Sequence, residues 1–259
     1  MPEIRNGTPV WISLNCQDVE AARRFYTNLF GWTFTPPEES MGGYQLIMLG
    51  EETVGGMMRS MNPDGSPADV PSAWTVFLHV RDIEAAVESA ASASARVLTA
   101  PMRAGDMGAL AELIDPGGAA VGLWQPGSFG GFRITGSVGT AVWFECMATD
   151  FGAALPFYRD VLEWDIAFMN DSGESPTYVT HGAGEAAVAG LCDASEWFDA
   201  PLWRIYVAVE DTDAAVGRVQ DGGGRLLDGP VDSPFGRLAT VADPEGATFQ
   251  LIQGRSAGG

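Results

Sequence analysis

Lysine is absent from the 259 residues: all 14 basic side chains are arginine, against 34 acidic ones. That absence removes Schiff-base catalysis and the phosphate-gripping lysine of nucleotide-binding loops. Histidine is scarce, with only His79 and His181. Cysteine is limited to Cys16, Cys146 and Cys192, and an odd number without paired spacing fits neither a disulfide framework nor a zinc ribbon. Apolar runs are no longer than a strand, so no segment reads as a membrane span. The first residues, MPEIRNGTPVW, lack the basic region and apolar run of a secretory signal, and the expected location is cytoplasmic. The formal net charge of −20 repels nucleic acid and anionic membranes and weakly favours a cationic ligand. Its plainer reading is an acidic, soluble surface.

What is present is a sequence written twice. WISLNCQDVEAARRFYTNLFGW, from Trp11, recurs as WFECMATDFGAALPFYRDVLEW, from Trp143, 132 residues later. WTVFLHVRDIEAAV, from Trp74, has its partner in WRIYVAVEDTDAAV, from Trp203. Each half therefore holds two related units, and such repeats decide the fold before any local reading does.

Each unit reads as strand, helix and a meander of strands. Val10 to Cys16 alternates Ile12, Leu14 and Cys16 with Trp11, Ser13 and Asn15, the period of a strand covered on one side. Asp18 can cap the next segment, in which Ala22, Phe25, Tyr26, Leu29 and Phe30 form one apolar helical stripe ended by Gly31. Strands are expected at 44–49 and 53–58, and SMNPDGSPADVPS (60–72) is a connector. In the second unit 73–80 is a strand, Asp82 a cap and 83–93 a helix. Strands follow at 96–102, 108–114 and 119–124, the last two joined by the turn Asp115-Pro116-Gly117-Gly118. Asp243-Pro244-Glu245-Gly246 matches that turn in the second half. PGSFGGFRITGS (126–137) links two domains, 1–128 and 129–259.

The sum of these motifs, FY…LGW on a capped helix and a late D-P-x-G turn before a final strand, resembles the vicinal oxygen chelate superfamily. Its members include glyoxalase I, extradiol dioxygenases and the fosfomycin and bleomycin resistance proteins. The resemblance spans nearly the whole chain. It implies an α+β fold of four βαβββ modules forming two half-open, glyoxalase-like barrels, each around a concave cleft. It also implies where a metal would be held: seven residues before each capping Asp, and seven after each D-P Asp. Here those positions are Trp11, Thr75 and Gly122 in the first half, and Trp143, Arg204 and Gln250 in the second. Indole cannot ligate, guanidinium repels a cation and glycine has no side chain, so no metal or other cofactor is expected.

Strand parity then lists what lines the clefts. In the first domain these are Trp11, Ser13, Asn15, Thr75, Phe77, His79, Gly122 and Trp124; in the second, Trp143, Glu145, Met147, Arg204, Tyr206 and Gln250. Aromatic faces with a few polar groups are the usual lining of a small-molecule pocket, although tryptophans could equally plug the barrels. His79 with Glu112, or Glu145, are the candidate acid–base groups. His181 is expected at a hairpin end, Trp32 and Trp164 in the core, and Cys16 and Cys146 buried and inert.

The function expected is metal-independent binding of a hydrophobic, polycyclic aromatic molecule, an antibiotic or a natural-product intermediate. Such a protein would sequester its ligand for self-resistance or exchange it with a tailoring oxygenase, as a monomer or homodimer. Trp11 and Trp143 would be platforms, with Asn15, Thr75, His79, Glu145, Arg204 and Gln250 setting orientation. The alternative is an oxygenase, hydroxylase or glyoxalase-type lyase, cofactor-free or metal-dependent, acting on an aromatic polyketide-like substrate. A scaffold with vestigial clefts is the third reading.

Overall fold

The computed structural model describes residues 4–62, 66–132, 136–169 and 177–254. Parts of the 60–72 connector (63–65) and of the 126–137 linker (133–135) lie outside them. The first module comprises β1 (Pro9–Cys16), α1 (Val19–Phe30), β2 (Thr33–Phe34), β3 (Gln45–Leu49) and β4 (Glu52–Arg59). The second comprises β5 (Ala73–His79), α2 (Ile83–Ser92), β6 (Arg96–Ala104), β7 (Gly108–Ile114) and β8 (Ala120–Pro126). The third has β9 (Ala141–Ala148), α3 (Phe151–Pro156), β10 (Ile166–Phe168), β11 (Tyr178–His181) and β12 (Gly190–Asp193). The fourth has β13 (Leu202–Ala208), α4 (Thr212–Asp221), β14 (Arg225–Ser233), β15 (Gly236–Ala242) and β16 (Thr248–Gly254).

Each module supplies a four-strand run, ordered β2-β3-β4-β1, β5-β8-β7-β6, β10-β11-β12-β9 and β13-β16-β15-β14. The first two runs belong to one eight-stranded sheet and the last two to another. Both sheets are mixed: β1 with β4, β5 with β8, β9 with β12 and β13 with β16 run parallel, and the hairpins antiparallel. Both are open, unclosed sheets, in keeping with the half-open, glyoxalase-like domains expected. β2 and β10, at the edges, have two and three residues, too few backbone groups to carry a closing ladder. No helix among the described residues is long and apolar enough to cross a membrane.

The helices form where the caps put them. Asp18, Asp82, Asp150 and Asp211 each accept the backbone N–H three residues on, satisfying a donor that the first turn leaves orphaned. α1 buries Ala22, Phe25, Tyr26 and Leu29, and ends at Gly31 with φ +73°, a conformation that favours glycine. α3 is shorter because Pro156 lacks an N–H and cannot continue the ladder. A π-helical turn, Phe157–Val161, takes over and still delivers Phe157 and Tyr158 to the core.

Contacts divide the chain into two compact units. One comprises residues 1–11, 75–131 and 143–204; the other comprises 12–74, 132–142 and 205–259. Each is centred on a buried Tyr–Asp–Trp network. In the first unit Tyr158 Oη donates to Asp115 Oδ2 at 2.6 Å and accepts from Trp203 Nε1 at 3.0 Å. In the second, Tyr26 Oη donates to Asp243 Oδ2 at 3.0 Å and accepts from Trp74 Nε1 at 3.1 Å. The aspartate of each D-P turn is thus the acceptor for the tyrosine of an FY motif. Burial raises the pKa of both carboxyls, opposed by those tyrosine hydroxyls and by backbone N–H groups.

Candidate functional site

The site is built by strand parity in the first unit. On β9, Cys146 lies against Tyr158, at 3.7 Å, so Trp143, Glu145 and Met147 take the opposite face. On β13, Trp203 reaches the same tyrosine and leaves Arg204 on the opposite face. β11 adds Tyr178, which no cleft assignment from the sequence included. Trp143 Nε1 donates to Tyr178 Oη at 3.1 Å, and Tyr178 Oη donates to Glu145 Oε2 at 2.9 Å. Arg204 Nη1 stands 3.5 Å from Glu145 Oε1, with side chains 19% and 9% exposed respectively. The guanidinium lies over Phe198, 4.8 Å from the ring centroid, a cation–π contact. Beside this chain Met147, Cys192 and Ala194 are buried, with Tyr178, Phe198 and Leu202 packed on them.

Gly190 makes the arrangement possible. It sits opposite Glu145 in the parallel β12–β9 pair, and a Cβ there would stand 2.0 Å from Tyr178 Oη. Only a hydrogen lets the phenol lie across the strand to reach Glu145. Chemically, the cluster is a carboxylate served by a phenol and a guanidinium, set against apolar and aromatic surface. It can orient polar substituents on a flat ligand, and Glu145 is positioned to accept a proton.

The first-half candidates in the same unit are arranged otherwise. Phe77 faces Gly122 and His79 faces Trp124 across the β5–β8 pair. A Cβ at Gly122 would stand 2.3 Å from the Phe77 ring, so the glycine at that would-be ligand position makes room for an aromatic. Phe129, assigned from sequence to the linker, packs edge-on against Trp11 at 5.0 Å and against Trp124 at 6.3 Å. Its carbonyl accepts the Trp124 indole N–H at 3.0 Å. The chain's own phenylalanine therefore covers part of the aromatic surface here. Thr75 is half-buried on β5. Glu112 accepts the Thr99 hydroxyl at 2.9 Å.

In the second unit Asn15 pairs with Met58 across β1–β4, and Tyr206 with Gln250 across β13–β16. Gln250 Nε2 donates to Thr240 Oγ1 at 2.8 Å. A shallow cleft of about 230 Å³ opens beside Phe30, Val209, Asp211 and Arg218. Its Asp211 is spent as the α4 cap.

His181 is structural. Its Nδ1 accepts the Asp165 N–H at 3.0 Å, which leaves the proton on Nε2 to be donated to the Asn6 carbonyl at 2.9 Å. The ring stacks on Trp164, at 5.4 Å and 9°. Burial and the nearby Arg5 lower its pKa and favour the neutral form. Trp32 and Trp164 are core residues. The three thiols are free and buried. Burial, then the Glu245, Asp243 and Asp18 carboxylates, push Cys16 up to about 12; burial and Glu145 push Cys192 up to about 12; burial also raises Cys146 well above the usual thiol range.

Among the described residues no group of three or more His, Cys, Asp or Glu is arranged to hold a metal ion. The six positions tested in the sequence hold two indoles, a threonine, a glycine, a guanidinium and an amide already bonded to Thr240. That donor set does not fit a divalent cation.

Comparison with known proteins gives the family and the fold. The model of the Glyoxalase/Bleomycin resistance protein/Dioxygenase superfamily matches residues 8–123 and again 140–251. The chain is 33% identical over 254 residues to CFP32 of Mycobacterium tuberculosis (strain CDC 1551 / Oshkosh), which carries a glyoxylase name, covering 97% of this chain and 96% of that one. It is 32% identical over 268 residues to the anthracycline biosynthesis protein DauV of Streptomyces sp. (strain C5), covering 99% and 97%. Among solved structures, the 2,3-dioxygenase LapB from Pseudomonas sp. KL28 superposes with a TM-score of 0.66 at 12% identity, covering 98% of this chain and 94% of LapB. The Mn(II)-bound glyoxalase from Novosphingobium aromaticivorans gives 0.65 at 14%, covering 96% and 83%. At such identities these two speak for the fold alone.

Proposed function

The chain belongs to the glyoxalase/bleomycin resistance protein/dioxygenase superfamily, and from that premise we propose that it binds a planar, polycyclic aromatic small molecule without a metal. One observation carries this reading: the Trp143 indole, at a position where the sequence resemblance would put a metal ligand, is tied through Tyr178 to Glu145. An indole edge fixed by a polar chain is a stacking platform with orienting groups beside it. The kinship with an anthracycline biosynthesis protein supports a ligand of fused rings bearing quinone and phenol oxygens. Sequestration for self-resistance, or exchange with a tailoring oxygenase, is the role we attach to such binding, in a cytoplasmic monomer or homodimer.

Calorimetric titration with a panel of planar polycyclic quinones tests the proposal, with wild type and Trp143→Ala compared. Truncating the platform should cost about 1–3 kcal/mol, roughly 5- to 150-fold in Kd. Unchanged affinity in that variant removes Trp143 from the site. Catalysis is the second reading, favoured by Glu145 lying within hydrogen-bond reach of Tyr178, an acid–base pair in form. Mass spectrometry of the compound recovered after incubation separates the two, because binding returns it intact and catalysis returns it altered. Stoichiometric metal in the purified protein, required for ligand uptake or turnover, would defeat the metal-free reading.

A further inference from the structure

Glu145 and Arg204 are not equivalent offers to a ligand. The carboxylate is already served, by the Tyr178 hydroxyl at 2.9 Å and by Arg204 at 3.5 Å. The guanidinium is far less committed. Among the described residues its one polar contact is that 3.5 Å approach, made through Nη1. This is beyond the 2.7–2.9 Å typical of charge-assisted bonds. Arginine carries five N–H donors in a rigid fork, so most of the fork remains to be used. Phe198 beneath it fixes the plane, and a side chain 19% exposed is within reach of a molecule entering from solvent.

We infer that this site selects an anionic or strongly oxygen-accepting aromatic, one whose carboxylate, phenolate or paired carbonyl oxygens dock on the fork of Arg204. The inference rests on the aromatic-binding reading above and narrows it. It opposes what the composition suggests, since a chain of net charge −20 favours cations at long range. Range decides between the two. Surface charges are screened beyond about 8 Å at physiological ionic strength, whereas a bidentate contact at hydrogen-bond distance is not. A cationic ligand, conversely, would have to displace Arg204 from Glu145 and then face that guanidinium.

Three matched probes test this: anthraquinone-2-carboxylate, anthraquinone-2-carboxamide and 2-(aminomethyl)anthraquinone, titrated calorimetrically at pH 7.5 and 150 mM salt. The carboxylate should bind about tenfold more tightly than the carboxamide, with the ammonium compound weakest. Arg204→Gln should abolish the carboxylate's advantage over the carboxamide, so that the two bind within about threefold of each other. Glu145→Gln, which releases Arg204 from its carboxylate, should raise the advantage further. The wild-type ranking stands as a test even if a variant fails to fold. Equal affinities for all three probes, or the ammonium compound binding best, would overturn the inference and leave aromatic binding intact. No binding of any probe would overturn both.

Discussion

Tyr158→Phe removes a single oxygen from the centre of the first unit. That oxygen donates to Asp115 at 2.6 Å and accepts from Trp203 Nε1 at 3.0 Å. The residue is 0% exposed, so water cannot replace either bond. Loss of a hydrogen bond to a charged acceptor costs about 1.5–3 kcal/mol, and an orphaned buried donor about 1–3 more. Asp115 keeps the Ala119 N–H at 2.9 Å, which limits its own penalty. The sum is about 2.5–6 kcal/mol, or roughly 5–24 °C in Tm at 2–4 °C per kcal/mol. Tyr26→Phe makes the same deletion in the second unit, where the tyrosine–aspartate bond is 3.0 Å. A short O–H···O⁻ bond is the stronger one, so Tyr158→Phe should be the costlier variant. Urea unfolding followed by circular dichroism measures both. A loss under 1 kcal/mol for Tyr158→Phe, or a larger loss for Tyr26→Phe, would refute the assignment of these networks as the centres of the two units. The consequence for the site is local as well, since Trp203 immediately precedes Arg204 and its indole N–H is held by that same oxygen.

Other predictions follow from particular contacts. Gly190→Ala places a Cβ 2.0 Å from Tyr178 Oη and must push the phenol off Glu145; ligand affinity should fall about tenfold or more with secondary structure unchanged by circular dichroism, and wild-type affinity would show that Tyr178 does not orient the site. His181 has a folded-state pKa below its ordinary 6.5, so the unfolded chain binds the extra proton first and stability falls as pH drops below about 6.5, the loss levelling off below the folded-state value; His181→Gln should lose less Tm than wild type between pH 7.5 and 5.5, and an equal loss counts against this origin. With Cys16 and Cys192 pushed up to about 12 and Cys146 raised by burial, a disulfide exchange reagent at pH 8 should find no reactive thiol in the native chain and three after denaturation. Rapid native labelling would contradict that burial.

Much of the scaffold is legible because a strand's period, a cap and a turn are local. The four capping aspartates, the D-P turns and strands such as Val10–Cys16 are readable from the neighbours of each residue. Phe129 is not. Nothing in PGSFGG says that a phenylalanine among glycines will fold back on Trp11 and Trp124, because its placement depends on a strand distant in sequence. The Tyr–Asp networks are half-legible: the FY motif and the D-P turn stand out separately, but only the packed structure joins Tyr158 to Asp115. Tyr178 left a trace that the repeat arithmetic hides. Tyr44 and Tyr178, like Gly56 and Gly190, are 134 residues apart rather than 132, and a two-residue slip after the first helix, beyond Trp32 and Trp164, pulls them out of register.

Restoring that register separates what the duplication kept from what it changed. Tyr44 Oη donates to Ser13 Oγ at 3.2 Å, and a Cβ on Gly56 would stand 1.9 Å from it; Tyr178, Glu145 and Gly190 repeat the same placement. The phenol laid across a glycine is therefore architecture, present in both halves. What differs is its partner: Ser13 in one half, Glu145 in the other, and likewise Thr75 where the other half has Arg204. A feature required by the fold would recur with the fold. The Glu145–Arg204 pair does not, and a half-buried ion pair held at 3.5 Å gives little net stability to justify itself. Its presence in one half alone is why the affinity experiments are aimed at Arg204 and Glu145 and not at their neutral counterparts Thr75 and Ser13.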